Sequence, residues 1–250
     1  MNSRIIFLPT VVLSNLVLFL WWYFRAGDFI FIIGAVVLLN LVLARWLNSH
    51  NNDWWSFALL PIISTLSALA YILIISNANL VLAIIIGLYI VLIIYWRLIF
   101  RYIFRHSFYK PFSLERFFYY FSFLMLFLFS AAAYGIKTFL NVPLWQLVIA
   151  FFIFQIILTY LWSWTNKLDL KIVWPYSLAL IVMITELFLA VNLLPLNFNI
   201  SAFVIASSWH GLSFLATEHI SGRLSYRRSR FIISLIVIIW LAVLITARWF

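Results

Sequence analysis

Long apolar runs separated by short polar clusters dominate the chain. Nine runs approach or exceed the roughly 20 residues that a helix needs to cross a membrane; they cover 5–24, 29–47, 54–75, 79–100, 116–136, 144–164, 172–194, 199–219 and 231–248. Segment 81–94 is apolar on every side, whereas the strands of a membrane barrel alternate apolar and polar residues. The pattern predicts an all-α bundle of about nine transmembrane helices.

Composition favours a membrane protein without a soluble domain. Hydrophobic residues make up 67% of the 250 residues and charged residues 9%, against about 25% charged in a soluble domain. Connections between the runs are short, so we expect one transmembrane domain over residues 1–250. The absence of cysteine excludes disulfides, thiolate metal sites and a cysteine nucleophile. No small-residue cleavage site follows the first run, which favours an uncleaved signal anchor.

The basic residues predict the orientation of the helices. With nine spans, 13 of the 16 lysines and arginines fall on one side of the membrane. The other three are Arg25, Lys137 and Arg248. Because cytoplasmic loops carry the excess of lysine and arginine, the N-terminus is expected in the cytoplasm and the C-terminus outside. We expect the protein to be integral to a membrane, the bacterial cytoplasmic membrane.

Two groups of arginines on that cytoplasmic side predict contact with anionic lipid headgroups. The first group is Arg97, Arg101 and Arg105, and the second is Arg223, Arg227, Arg228 and Arg230. The groups either anchor the topology through general attraction to anionic lipid, at about 1 kcal/mol for each cation, or form a specific lipid-phosphate or partner site. Nothing resembling a nucleic-acid-binding fold accompanies the charge, so nucleic acid is not an expected partner.

Two ionisable residues lie inside predicted spans, where a charge is costly and therefore suggests function. Glu186 and His210 lie about 12 and 16 Å from the turn that joins their spans, at about 1.5 Å per residue. We predict a Glu186–His210 pair, which serves proton relay, ion binding or acid–base chemistry, or fixes helix register as a buried hydrogen-bonded pair. Four polar residues would complete a substrate pocket; they are Thr185, Asn192, Ser207 and Ser208.

Other polar residues near or inside the spans have structural interpretations. Gln155 and Thr159 are expected to form interhelical hydrogen bonds. Glu218 and His219 lie near the interface, where a salt bridge to Arg223 or to the Arg97 group is expected. A metal site needs three or four convergent ligands, and the spacing of these residues is not a ligand signature. No metal and no cofactor are expected.

Two short motifs resemble those of intramembrane enzymes. Trp209-His210-Gly211 resembles the tripeptide around the catalytic histidine of membrane-bound O-acyltransferases, which implies His210 as a base acting on lipid. Glu218-His219-x-x-x-Arg223 is similar to the Glu-Glu-x-x-x-Arg motif of CAAX-type proteases, although His219 replaces the second glutamate. That replacement puts the proteolytic activity in doubt, as does the lack of a later histidine.

The last third of the chain has a broader resemblance. Thr185-Glu186, Leu194-Pro195, Gly222-Arg223 and Thr246-Ala-Arg248-Trp249 are similar to small uncharacterised multi-span membrane proteins of candidate-phyla bacteria. That family has no assigned activity, so the resemblance implies a membrane protein and no functional residue.

Three classes of function remain. The first is a non-catalytic membrane protein, a lipid-interacting scaffold or a subunit of a membrane complex, because few polar groups are present to line a cavity. The second is a transporter of a small substrate or lipid through the Glu186–His210 pair. The third is an intramembrane acyltransferase-like enzyme with His210 as base. We favour the first, which is not an enzyme and whose partners are anionic headgroups and protein subunits.

Overall fold

A computed structural model of the protein describes residues 37–45, 54–104 and 109–246. Every regular element in these ranges is an α-helix, so the predicted all-α class is confirmed. The predicted span 5–24 and most of 29–47 lie outside the described residues. The chain divides into two compact units, Met1–Phe117 (unit 1) and Phe118–Phe250 (unit 2). The expectation of one domain over 1–250 stays a prediction.

Unit 1 is built around two long helices. A short helix, α1, covers residues 37–45, and α2 (Trp54–Ile72) is followed after a short turn by α3 (Ala78–Phe104). The two long helices pack against each other, and the Tyr95 hydroxyl donates a hydrogen bond to the carbonyl oxygen of Phe57 at 2.8 Å. That bond satisfies a hydroxyl that is otherwise buried among apolar side chains.

Unit 2 contains most of α4 (Ser113–Leu140), which begins in unit 1, and four further helices. These are α5 (Leu144–Thr165), α6 (Leu170–Val191), α7 (Phe198–Ile220) and α8 (Tyr226–Thr246). Within the described residues α5 packs against α6, α6 against α7 and α7 against α8. Short loops join the helices, so successive helices run in opposite directions.

Polar side chains set where two of these helices begin. The Asp169 carboxylate accepts a hydrogen bond from the Lys171 amide at the start of α6. The Asn197 side chain does the same for the Asn199 amide at the start of α7. Both are N-caps, which satisfy amides that have no partner within the helix.

A glycine ends α7. Gly222 has φ of +67°, a left-handed conformation that costs glycine little. The amide of Gly222 donates to His219 and the amide of Arg223 donates to Glu218. This is the Schellman arrangement, in which the last helical carbonyls find donors and the chain leaves the helix axis. It turns the chain into α8.

Six helices, α2 to α7, are long and apolar enough to cross a membrane, and the qualifying part of α6 is Lys171–Val191. Large apolar side chains such as Ile90, Ile153 and Trp174 are exposed on their outer surfaces. An apolar exterior of this extent is expected where lipid surrounds the helices. The chain is therefore a multi-pass helical membrane protein with six such helices in its described part. The predicted count of nine spans stays a prediction.

Candidate functional site

The arginines of the second group surround the turn between α7 and α8. Arg223, Arg227, Arg228 and Arg230 are all exposed there. The Ser225 hydroxyl caps α8 by accepting a hydrogen bond from the Arg228 amide at 3.3 Å. We call these four residues the turn arginines. Arg223 precedes α8, and the other three lie in its first turns, where the helix N-terminus itself carries positive partial charge.

One of the turn arginines has an acidic partner. Nη1 of Arg228 lies 2.6 Å from Oε2 of Glu218, whose residue is 7% exposed. The guanidinium of Arg228 also lies 5.6 Å from the ring centre of Phe214. The sequence predicts Arg223 or the Arg97 group as the partner of Glu218, whereas in the structure Glu218 forms its ion pair with Arg228. The ion pair ties the start of α8 to the end of α7.

The remaining turn arginines are not neutralised by the described part of the chain. The guanidinium groups of Arg223 and Arg227 form no hydrogen bond or ion pair with the described residues, and that of Arg230 lies over the Tyr226 ring at 5.5 Å. In the first group, Arg97 and Arg101 are exposed on α3, while Arg105 lies outside the described residues. The turn arginines therefore form a cluster of positive charge that is open to an anion.

His210 lies against α4. Its ring centre is 3.7 Å from that of Tyr119 and 5.8 Å from that of Phe123. Glu186 is exposed on α6. Among the described residues, no hydrogen bond or ion pair joins Glu186 to His210. The predicted pair stays a prediction, and the contacts that are present connect His210 to aromatic rings.

The four predicted pocket residues have separate surroundings. Asn192 accepts a hydrogen bond from Nζ of Lys137 at 2.7 Å, and Ser207 accepts one from Nε1 of Trp240 at 3.1 Å. The Ser208 hydroxyl donates to the Val204 carbonyl of its own helix. The Thr185 hydroxyl is buried without a hydrogen-bond partner. Three of the four therefore connect or stabilise helices, and Thr185 keeps its capacity to bind a ligand.

One residue of unit 2 lacks the interhelical hydrogen bond that the sequence predicts. Gln155 on α5 is fully buried, and neither polar atom of its amide has a hydrogen-bond partner. The indole N–H of Trp209 on α7 is buried and unpaired in the same way. The signal in the sequence was a glutamine in the middle of an apolar run, but only the structure shows that its expected partner is missing.

In the described part of the chain no group of three or more His, Asp or Glu side chains converges. Comparison of the chain with models of known protein families, with curated proteins and with solved structures gives no match. The site must therefore be interpreted from its own chemistry.

Proposed function

We propose that the protein works without catalysis, as a lipid-interacting scaffold or a subunit of a membrane complex. The observation that supports this proposal most strongly is the turn between α7 and α8, where the side chains of Arg223 and Arg227 are exposed and their guanidinium groups have no partner among the described residues. A lipid phosphate beside them would neutralise these side chains and also interact favourably with the N-terminus of α8.

The surface that follows the turn arginines supports contact with lipid. Arg230 is followed directly by Phe231, which is 65% exposed, and exposed apolar side chains continue along α8 to Ile245. Positive charge thus gives way to an apolar surface within one residue. This is the order of a lipid leaflet, in which the phosphates lie just outside the acyl chains.

We extend the proposal to the topology of the whole chain, with nine spans, the N-terminus in the cytoplasm and the C-terminus outside. At the end of unit 2 that carries the turn arginines, Lys167 lies in the turn before α6 and Lys171 in the first turn of α6, and both are exposed. At the opposite end Lys137 bonds to Asn192. The positive-inside rule places the richer end in the cytoplasm, in keeping with the bacterial cytoplasmic membrane.

Single-cysteine labelling tests this orientation, because the chain has no cysteine of its own. Leu193→Cys lies in the turn after α6, and Ser221→Cys lies in the turn after α7; both positions are exposed. A maleimide that cannot cross membranes should label Leu193→Cys on intact cells. It should label Ser221→Cys only after the cells are permeabilised. Labelling of both positions on intact cells would contradict the topology.

Removal of two turn arginines should weaken binding of anionic lipid. Each cation near an anionic surface contributes about 1 kcal/mol, so the double variant Arg223→Gln/Arg227→Gln should bind phosphatidylglycerol about 30-fold more weakly. The measurement is native mass spectrometry of the full chain, released from nanodiscs that contain phosphatidylglycerol in neutral lipid.

The matched control is Lys137→Gln at the opposite end of unit 2. Its ammonium group already bonds to Asn192, so bound phosphatidylglycerol should stay close to the wild-type level. Wild-type amounts of phosphatidylglycerol on the double arginine variant would reject the lipid-phosphate proposal.

Two alternatives rest on His210. Its Nδ1 is buried without a hydrogen-bond partner, which favours a transporter for a small substrate or lipid, or an acyltransferase-like enzyme with His210 as base. Both need a second polar group beside the imidazole. His210 contacts the rings of Tyr119 and Phe123, but its Nδ1 forms no hydrogen bond with the Tyr119 hydroxyl or any other described group, so we rank both alternatives below the lipid-interacting protein.

A further inference from the structure

Gln155 and Trp209 are two of the six described side chains of unit 2 whose buried polar atoms have no hydrogen-bond partner; the others are Ser130, Thr159, Thr185 and His210. Gln155 is 0% exposed and Trp209 is 1% exposed, and neither the Gln155 amide nor the Trp209 indole N–H forms a hydrogen bond within the described residues. Proteins rarely leave such groups unpaired, because burial without a hydrogen bond costs free energy. A serine or threonine can bond to its own helix, but an amide of this length and an indole need an outside partner.

One interhelical hydrogen bond fixes the relative depth of these two residues. Nε1 of Trp162 on α5 donates to Oγ1 of Thr217 on α7 at 3.1 Å. Gln155 precedes Trp162 by seven residues and Trp209 precedes Thr217 by eight, which is about 10 and 12 Å along the helices. The helices α5 and α7 run in the same direction, so Gln155 and Trp209 lie at nearly the same depth.

A second contact brings α6 into the same layer. Phe151 of α5 stacks on Phe188 of α6 with ring centres 4.2 Å apart. Gln155 follows Phe151 by four residues and Thr185 precedes Phe188 by three, about 6 and 4.5 Å. Because α5 and α6 run in opposite directions, both steps lead to the same depth. The Thr185 hydroxyl is also buried and unpaired.

We propose that Gln155, Thr185 and Trp209 form a binding site for one uncharged hydroxyl group. We call these three residues the polar layer. An indole N–H is a donor only, whereas an amide offers both a donor and an acceptor. A hydroxyl group can accept from Trp209 and donate to Oε1 of Gln155, which gives a partner to the indole N–H and to one of the two unpaired atoms of the amide.

The chemistry of the polar layer excludes a charged ligand. All three side chains are uncharged, and Glu186, the neighbour of Thr185, is exposed on the outer face of α6. A buried ion without an opposite charge carries a penalty of several kcal/mol. The hydroxyl group therefore belongs either to a bound water or to a lipid or small alcohol dissolved in the membrane.

A double-mutant cycle tests the polar layer. Gln155→Leu and Trp209→Phe each remove one polar partner while keeping an apolar side chain in its place. If both residues bond to one hydroxyl group, each substitution lowers the midpoint of thermal unfolding of the full chain in detergent by about 3 °C. The double variant then falls by clearly less than the sum of the two shifts, because the second substitution removes a partner already lost.

A rise in the unfolding midpoint of Gln155→Leu, instead of a fall, overturns the proposal. If no hydroxyl group is bound, Gln155→Leu removes an unpaired buried amide and raises the midpoint. Additive shifts in the cycle also overturn it. The matched control is Thr165→Val on the same helix, whose buried hydroxyl bonds to the Leu161 carbonyl at 2.8 Å. Its shift should add to that of Gln155→Leu without coupling.

Mass spectrometry of extracts from the purified protein separates the two sources. A hydroxyl-bearing lipid or small alcohol bound one to one, and depleted in Gln155→Leu, identifies a membrane ligand. Coupling without such a molecule identifies a bound water. If Gln155→Leu fails to fold, Trp209→Phe alone decides the question: loss of the bound molecule or a lower midpoint supports the site, and an unchanged or higher midpoint with no molecule lost overturns it.

Discussion

Phe188→Ala lowers the midpoint of thermal unfolding by about 10 °C, the largest effect that we expect from one substitution in unit 2. Phe188 is 1% exposed and stacks on both Phe151 and Tyr134, with ring centres 4.2 and 4.6 Å away. The Tyr134 hydroxyl donates a hydrogen bond to the backbone carbonyl oxygen of Phe188 at 2.9 Å. Removal of this ring leaves a cavity where α4, α5 and α6 meet. Such truncations cost about 3–5 kcal/mol, and each kcal/mol shifts the midpoint by about 2–4 °C.

Phe152→Ala is the matched control. Phe152 directly follows Phe151 on α5 but is 41% exposed on the outer surface, where detergent or lipid replaces the lost contacts. Its midpoint should fall by no more than about 2 °C. Both variants are measured by loss of near-ultraviolet circular dichroism on heating in the same detergent. Equal shifts would show that the aromatic stack does not hold the three helices together.

Gly211→Leu should lower the same midpoint by about 5 °C. A Cβ atom placed on Gly211 would collide with the side chain of Ile236 on α8, so the backbone of α7 and this side chain are already in contact. A leucine there forces the two helices apart, and overpacking of this kind costs about 1–3 kcal/mol. The substitution should also reduce bound phosphatidylglycerol, because α8 carries most of the turn arginines.

Two controls separate overpacking from a general effect of replacing glycine. At Gly87 on α3, no atom lies within 4 Å of the position that a Cβ would occupy. Gly87→Leu should therefore leave the midpoint unchanged or raise it, since leucine favours a helix over glycine. Ile236→Ala in the Gly211→Leu background should restore part of the lost stability. A fall of equal size in Gly87→Leu, or the absence of rescue, would contradict the proposed close contact.

The contacts between α7 and α8 share one antiparallel register. Glu218 pairs with Arg228, and Ser207 accepts from Trp240; Gly211 faces Ile236 between them. As the chain advances along α7, the partner on α8 moves back along the chain. The position of the turn arginines is therefore determined by packing further along the same pair of helices, which connects stability to the proposed lipid contact.

Helix content and membrane insertion were predictable from local sequence. Apolar runs of spanning length, such as 79–100 and 144–164, correspond to the observed helices α3 and α5. In lipid a chain must satisfy its own backbone hydrogen bonds, so run length and composition are sufficient to predict a helix. The group of exposed arginines around 223–230 was also evident, because charges are excluded from the apolar core.

Side-chain partners were not predictable in this way. The structure pairs Glu218 with Arg228 rather than Arg223, places His210 beside Tyr119, and leaves Gln155 unpaired. These outcomes depend on the rotation and relative depth of each helix.

Local sequence was therefore enough to establish a helical, multi-pass membrane protein with a basic cluster at one end of its last helices. Which faces of those helices meet, and so which polar atoms have partners, emerged only from the packed fold. A helix with apolar residues on every side has no polar face to fix its rotation. Its orientation is set by contacts such as the Phe151–Phe188 stack and the close approach at Gly211.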